Sequence, residues 1–213
     1  TFSLSNGKIQ FKMDIEFKNS KKPVNYKKAL HLLEKRVDVV KKGGRELVWF
    51  LEHPITYTAG IRSKEEEILD NSINIIKTNR GGKITLHNPG QLIVYFVINL
   101  NKRKKDIRNL VRQIENMIIK FLELYKIRSY ADKKNIGIWV KGKKIAAIGI
   151  KVSRWVAYHG FSINIKNNLD DYKKIVPCGL NNRKVTSLKK EKKIITNAKK
   201  NLKKIFMKYI SRV

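Results

Sequence analysis

The sequence predicts an α+β fold, a mixed sheet flanked by helices. Two observations carry that expectation. Short runs rich in β-branched and aromatic residues crowd the middle of the chain, and helical stripes lie before, between and after them without strict alternation. A doubly wound parallel sheet would require regular alternation, so a mixed sheet is favoured.

Taken in chain order, Leu30, Leu33, Val37 and Val40 recur at helical spacing and are followed by Gly43 and Gly44, which close a helix. "RELVWFLEH", "INIIKT" and "QLIVYFVINL" then read as strands. Ile107, Leu110, Val111, Ile114, Ile118, Phe121 and Tyr125 mark a long central helix. Three further strands follow in "IGIWV", "KIAAIGIKVS" and "YHGFSINI". Gly142, inside 141–143, signs a tight turn between the first two, which would make Trp139 and Ile145 cross-strand neighbours. Lys143 and Lys144 must then point to opposite faces. Lys144 shares its parity with Ala146 and Ile148, so its face is the buried one, and a lysine there needs a partner or must lose its charge. The lysine-rich tail keeps a helical stripe at Ile195, Ala198, Leu202, Ile205 and Tyr209, a basic helix over about 189–211. No repeat or long linker divides the chain, so a single domain over 1–213 is expected.

Composition narrows the class. Of 213 residues only Cys178 is a cysteine, which excludes an internal disulfide and suits a reducing, cytoplasmic location. An apolar share of 42% supports a substantial core. The longest apolar run, Gln91 to Leu100, is half of the roughly 20 residues a membrane helix needs, and "TFSLSNGKIQF" has no signal-peptide pattern. The formal charge of +31 invites a nucleic-acid reading, but lysine outnumbers arginine and is spread along the whole chain. With no recognition helix, zinc module or aromatic ladder, no specific nucleic acid is expected as partner. Attraction to an acidic macromolecule remains.

The densest functional loop is "NRGGKITLHNPGQ", where Arg80 supplies a cation, Gly81 and Gly82 allow close approach, and His87 is titratable. Ordinary hairpin punctuation is the plainer reading of its glycines. It has neither phosphate-loop spacing nor a dinucleotide fingerprint. The four histidines, His31, His53, His87 and His159, lack metal-site spacing, so neither metal nor cofactor is expected. His31 reads as a surface residue and His53 as an orienter of a loop. Composition alone makes Cys178 a small buried hydrophobe. Its "PCG" setting also suits a turn that presents the thiol to backbone N–H groups.

Four segments in order, "LEHPITYTAG", "RGGKITLHNPGQL", "GIWVKGKKIAAIGIKVSRWVAYHGFSINI" and "IVPCGL....VTSL", resemble the lipoyl(octanoyl) transferases. These are the octanoyl-[acyl-carrier-protein]:protein N-octanoyltransferases, and the resemblance runs from about 26 to 188. It implies the fold of the biotin and lipoate protein ligases and no cofactor. It implies transfer of octanoyl from acyl carrier protein to a specific lysine of a lipoyl domain, the first step of endogenous lipoate synthesis. The family's nucleophile falls on Cys178 and its partner lysine on Lys144. Its substrate-binding segments fall on Arg80, Gly81, Gly82, Lys83, Ile84, Thr85, Leu86 and His87, on Ala147, Ile148 and Gly149, and on His159, Gly160, Phe161 and Ser162. A monomer is expected. On this reading the buried-parity Lys144 acquires a purpose: an ammonium beside a thiol lowers its pKa by roughly 1 to 3 units. An apolar slot for six methylenes at ~0.8 kcal/mol each would add roughly 5 kcal/mol of length-dependent binding. The nearest rival on this fold is an ATP-dependent ligase, which needs no cysteine; a basic nucleic-acid module is the rival from another class.

Overall fold

The computed structural model describes residues 4, 5, 8, 9, 14–176, 184–192 and 196–213. Cys178, and Ile195 of the tail stripe, lie outside the described residues. A small ribbon pairs β1 (Leu4–Ser5) with β2 (Lys8–Ile9). Helix α1 (Tyr26–Lys41) follows β3 (Ile15–Asn19) and precedes β4 (Glu46–Leu51). Asn25 caps the α1 N-terminus by accepting from the Lys28 amide at 3.2 Å. Gly43 stops it at φ +88, and a Cβ on Gly44 would collide with Val39.

Strands β5 (Thr56–Ala59), β6 (Ile75–Lys77) and β7 (Thr85–His87) form a separate sheet in the order β6-β5-β7. The main sheet adds β8 (Gln91–Asn99), β9 (Tyr130–Ala131), β10 (Ile138–Val140), β11 (Lys143–Ser153) and β12 (Val156–Asn164). Its order is β3-β4-β8-β12-β11-β10-β9. Among the described strands of this sheet only the β3–β4 pair is parallel, so both the mixed sheet and the flanking helices stand as expected.

Helix α2 (Ile107–Glu123) and the C-terminal α4 (Ala198–Ile210) cover one face of this sheet and α1 covers the other. On β8, Leu92, Val94, Phe96 and Ile98 join the α2/α4 core, while Ile93, Tyr95 and Val97 join the α1 core. A strand buried on both faces reads as a continuous apolar run, which is what "QLIVYFVINL" is. A third, smaller core holds Tyr57, Ile84, Leu86, Tyr172 and Ile175 beneath the three-stranded sheet.

Two expectations need correction. The tail is not one helix over 189–211. A short α3 (Leu188–Glu191) ends at an extended Lys192, and α4 begins afresh at Ala198. The β10–β11 turn is the tight one expected, with Lys141 at φ 48 and Gly142 at φ 74, the two left-handed residues of a hairpin turn. Beyond it the register shifts, pairing Trp139 with Lys144 and Ile138 with Ala146, so Ile145 is the extra residue of a bulge. Trp139 therefore faces Lys144 and not Ile145. Lys144, Ile145 and Ala146 are all buried, because the bulge interrupts strict alternation.

Candidate active site

A cleft of about 300 Å³ opens where β7 and the loop before it meet β8, β11 and β12. Its size is at the low end of the roughly 300–1,000 Å³ usual for ligand pockets. Ile84, Ile93, Ala147, Ile148 and Phe161 supply apolar wall. Exposed Arg62, Lys133, Lys134 and Ile136 also line it and so form its rim. Of the sequence-predicted residues, Arg80, Gly82, Lys83, Ile84, Thr85, His87, Lys144, Ala147, Ile148, Gly149, His159, Gly160, Phe161 and Ser162 line this one cleft. Gly81 and Leu86 do not. Leu86 faces the third core, since its neighbours on β7 point the other way.

Lys144 is 7% exposed and lines the cleft, whereas Lys143 does not, but the bulge at Ile145 sets it on the face opposite to Ala146, with which strand parity groups it. Its Nζ donates to the Ile136 carbonyl at 3.0 Å and lies 4.9 Å from the centre of the Trp139 ring. Both contacts offset part of the cost of burying it. Gly137 makes room, because a Cβ there would sit 2.9 Å from Lys144 Cε. The backbone of Lys144 also anchors a neighbouring segment. Its amide donates to the Lys184 carbonyl at 2.9 Å, and its carbonyl accepts from the Thr186 amide at 2.9 Å. On the other side of 177–183, the Val176 amide donates to the Glu67 carbonyl at 2.7 Å.

The Arg80 loop is held by its own chain. Arg80 Nη2 donates to the Thr58 carbonyl and to Thr58 Oγ1, both at 2.8 Å, and Nη1 donates to the Gly81 carbonyl at 3.0 Å. A Cβ on Gly81 would stand 2.9 Å from the Ile150 carbonyl oxygen, and one on Gly149 would stand 3.1 Å from that of Gly81. These glycines thus serve close contact between two backbones as well as the cleft. Lys83 pairs with Glu67 at 2.8 Å, and Glu67 is 3% exposed on its side chain.

Three histidines far apart in sequence gather at the cleft, His87 and His159 on its wall and His53 behind them. His53 Nδ1 donates to the Val24 carbonyl at 2.6 Å, so Nε2 accepts from the Tyr95 hydroxyl at 2.9 Å. His87 stacks on Tyr26 at 5.9 Å and lies 5.6 Å from the His53 ring. Its Nδ1 donates to Gln91 Oε1 at 2.7 Å, an orientation fixed because Gln91 Nε2 donates to Asn164 Oδ1 at 2.9 Å. Burial pushes His53 down to about 4 and His87 to about 3, the latter helped by His53 and Arg80. His159 is driven to about 3 by burial and then by Arg80 and Lys151. All three are neutral at pH 7. Burial also raises the Tyr26 and Tyr95 phenols, so the cluster carries no charge of its own. His31 is exposed on α1, as expected.

His159 sits mid-strand at φ 67, a left-handed conformation rare for histidine. The twist lays its ring on that of its chain neighbour Tyr158, 4.9 Å away, where a regular strand would send the two to opposite faces. Gly160 permits it, because any Cβ there would run into the Val94 carbonyl. Tyr26, Tyr95 and Glu67 escaped the sequence reading. Tyr26 precedes the apolar stripe that marks α1, Tyr95 lies inside an apolar run, and Glu67 lies in a polar loop.

The catalytic domain model of lipoyl protein ligases A and B matches residues 25–208, so the resemblance takes in the C-terminal helix as well. An octanoyltransferase of Anaplasma marginale (strain Florida) is 44% identical over 181 residues, covering 82% of this chain and 85% of its own. One of Ehrlichia chaffeensis is 44% identical over 183 residues, covering 83% and 86%. Among solved structures, lipoate-protein ligase A bound with ATP superimposes with a TM-score of 0.78 at 15% identity, over 93% of this chain and 86% of that one. A biotin protein ligase from Aquifex aeolicus gives 0.54 at 16% identity, over 93% and 69%. At such identities the likeness is one of fold. Identity to the octanoyltransferases over most of both chains carries the assignment further: the chain belongs to the lipoyl protein ligase A/B catalytic family and is an acyltransferase of its octanoyltransferase group.

Proposed function

We propose that the protein takes octanoyl from the thioester of an acyl carrier protein onto Cys178 and passes it to a lysine amine of a lipoyl domain, in the cytoplasm and as a monomer. The observation that carries this reading is Lys144, a buried lysine on the cleft wall whose backbone is hydrogen-bonded to Lys184, the first described residue after 177–183. An ammonium so placed favours thiolate over thiol. The Cys178 thiolate attacks the thioester carbonyl, the C–S bond to the carrier breaks, and the carrier leaves as a thiolate that takes up a proton. Once the cysteine is acylated its negative charge is gone. Lys144, desolvated, can then give up its proton to solvent and receive one from the incoming amine as that amine attacks. The amide forms, Cys178 is released as thiolate, and Lys144 is again the ammonium. The apolar wall of Ile84, Ile93, Ile148 and Phe161 suits the acyl chain. The cationic rim of Arg62, Lys133 and Lys134 suits an acidic carrier domain.

Incubation with octanoyl-acyl carrier protein followed by intact mass tests the reading. One octanoyl adduct on the wild type and none on Cys178→Ala is expected. An adduct that survives in Cys178→Ala, or none on the wild type, would sink it. Turnover of Cys178→Ala with ATP and free octanoate would instead favour the ligase alternative.

A further inference from the structure

Asn79, immediately before the Arg80 loop, adds a polar bridge between α1 and β12, two elements that also share an apolar core. Its Oδ1 lies 3.0 Å from His159 Nε2, and its Nδ2 donates to Glu34 Oε1 of α1 at 3.4 Å. A carboxylate can only accept, so the amide nitrogen of Asn79 must be the end that faces Glu34. The oxygen end then faces His159, and an oxygen that only accepts requires the imidazole to donate from Nε2. In a neutral ring Nδ1 is then bare, and it is the nitrogen left for a ligand in the cleft that His159 lines.

We propose that Asn79 is a positioning residue: through Glu34 it holds His159 as the Nε2–H tautomer, so that Nδ1 accepts a hydrogen bond from the amine N–H attacking the acyl group. That last clause rests on the amine-acceptor reading above; the tautomer does not. The rest of the surroundings agrees. The rings of Tyr158 and Tyr95 pack on His159 at 4.9 and 6.4 Å, and neither supplies a carboxylate that would hold it as imidazolium. Arg80 and Lys151, the charged groups facing it, disfavour the protonated form. The strained φ of His159 gains a reason, since a regular strand would turn the ring away from Asn79.

Nitrogen NMR of the imidazoles, taken without substrate, reads the tautomer directly. His159 as Nε2–H in the wild type, and as a mixture of tautomers in Asn79→Leu, is expected. In steady-state transfer, Asn79→Leu should lose roughly 10- to 100-fold in kcat with little change in KM for the acyl donor. Glu34→Lys, which can only donate, should turn the Asn79 amide over and switch His159 to the Nδ1–H tautomer, with kcat falling alongside. That switch supports the proposal. Wild-type His159 found as Nδ1–H or as imidazolium at neutral pH overturns it. So does wild-type kcat in Asn79→Leu, or a wild-type tautomer and rate in Glu34→Lys. Failure of the cysteine thioester reading appears separately, as a missing adduct mass, and leaves the tautomer measurement intact.

Discussion

The two faces of the main sheet are made from the same strands and do opposite things. The α2/α4 face is filled by side chains such as Val94, Phe96, Ile118, Phe121 and Phe206, all buried and apolar. The α1 face begins the same way around Leu33, Val37 and Trp49, then turns polar at one end, where Tyr26, His53, His87, Tyr95 and His159 gather. Burying those rings costs stability that an apolar packing would supply, and each buried nitrogen or hydroxyl must find a partner. On β8 the two sides divide the work, with Val94, Phe96 and Ile98 packed beneath α2 and α4 and Ile93 and Tyr95 packed with α1 and lining the cleft, while Phe161 of the α2/α4 core also reaches the cleft wall.

Substitutions on each face should therefore fail in different ways. The largest effect is expected at Lys144. Lys144→Ala should lower the transfer rate by roughly 10²- to 10⁴-fold while circular dichroism and thermal midpoint stay near wild type. Lys143→Ala should keep most activity, and equal loss in both would contradict the face assignment. Next comes Phe121→Ala on the apolar face, expected to cost about 3 to 5 kcal/mol in denaturant unfolding. Well below its lowered midpoint, that variant should turn over at the wild-type rate; a rate defect comparable to that of Lys144→Ala would dissolve the distinction between faces.

Acid separates the faces next. His53, His87 and His159 stay neutral in the folded chain down to about 4, 3 and 3. In the unfolded chain they take up protons near pH 6.5. Lowered folded-state values mean that the unfolded state binds more protons below that pH, so stability falls as the pH falls. The three together should remove roughly 3 to 4 kcal/mol between pH 6 and pH 5, read as a shift in denaturant midpoint. A flat profile over that range would mean that the cluster is solvated and charged. The smallest effect is expected for Tyr95→Phe, which deletes the hydroxyl that donates to His53 Nε2 and should cost about 1 to 3 kcal/mol. A neutral outcome would show that this hydrogen bond adds nothing beyond packing.

Much of this arrangement was legible in the sequence. Helical spacing at Leu33, Val37 and Val40 and at Leu110, Ile114, Ile118 and Phe121 located α1 and α2, since apolar residues at that spacing have one way to leave water together. The β10–β11 turn was readable too, because Gly142 between two strand patterns suits a left-handed position. What lay beyond reach were features of partnership. The bulge at Ile145 is a matter of how β11 pairs with β10, and no local residue preference announces it. The break at Lys192 sits in a stretch whose lysines suit helix and loop alike.

For this protein, then, the sequence by itself determined the class of fold, the family, and many of the residues that line the cleft. Those follow from periodicity and from motifs, which are local. Only the tertiary structure decided that His53, His87 and His159 form one neutral cluster, that Lys144 faces Trp139, and that Asn79 stands between Glu34 and His159. Protonation and tautomer depend on what is packed against a group from other parts of the chain, and that is a property of the fold and not of any segment.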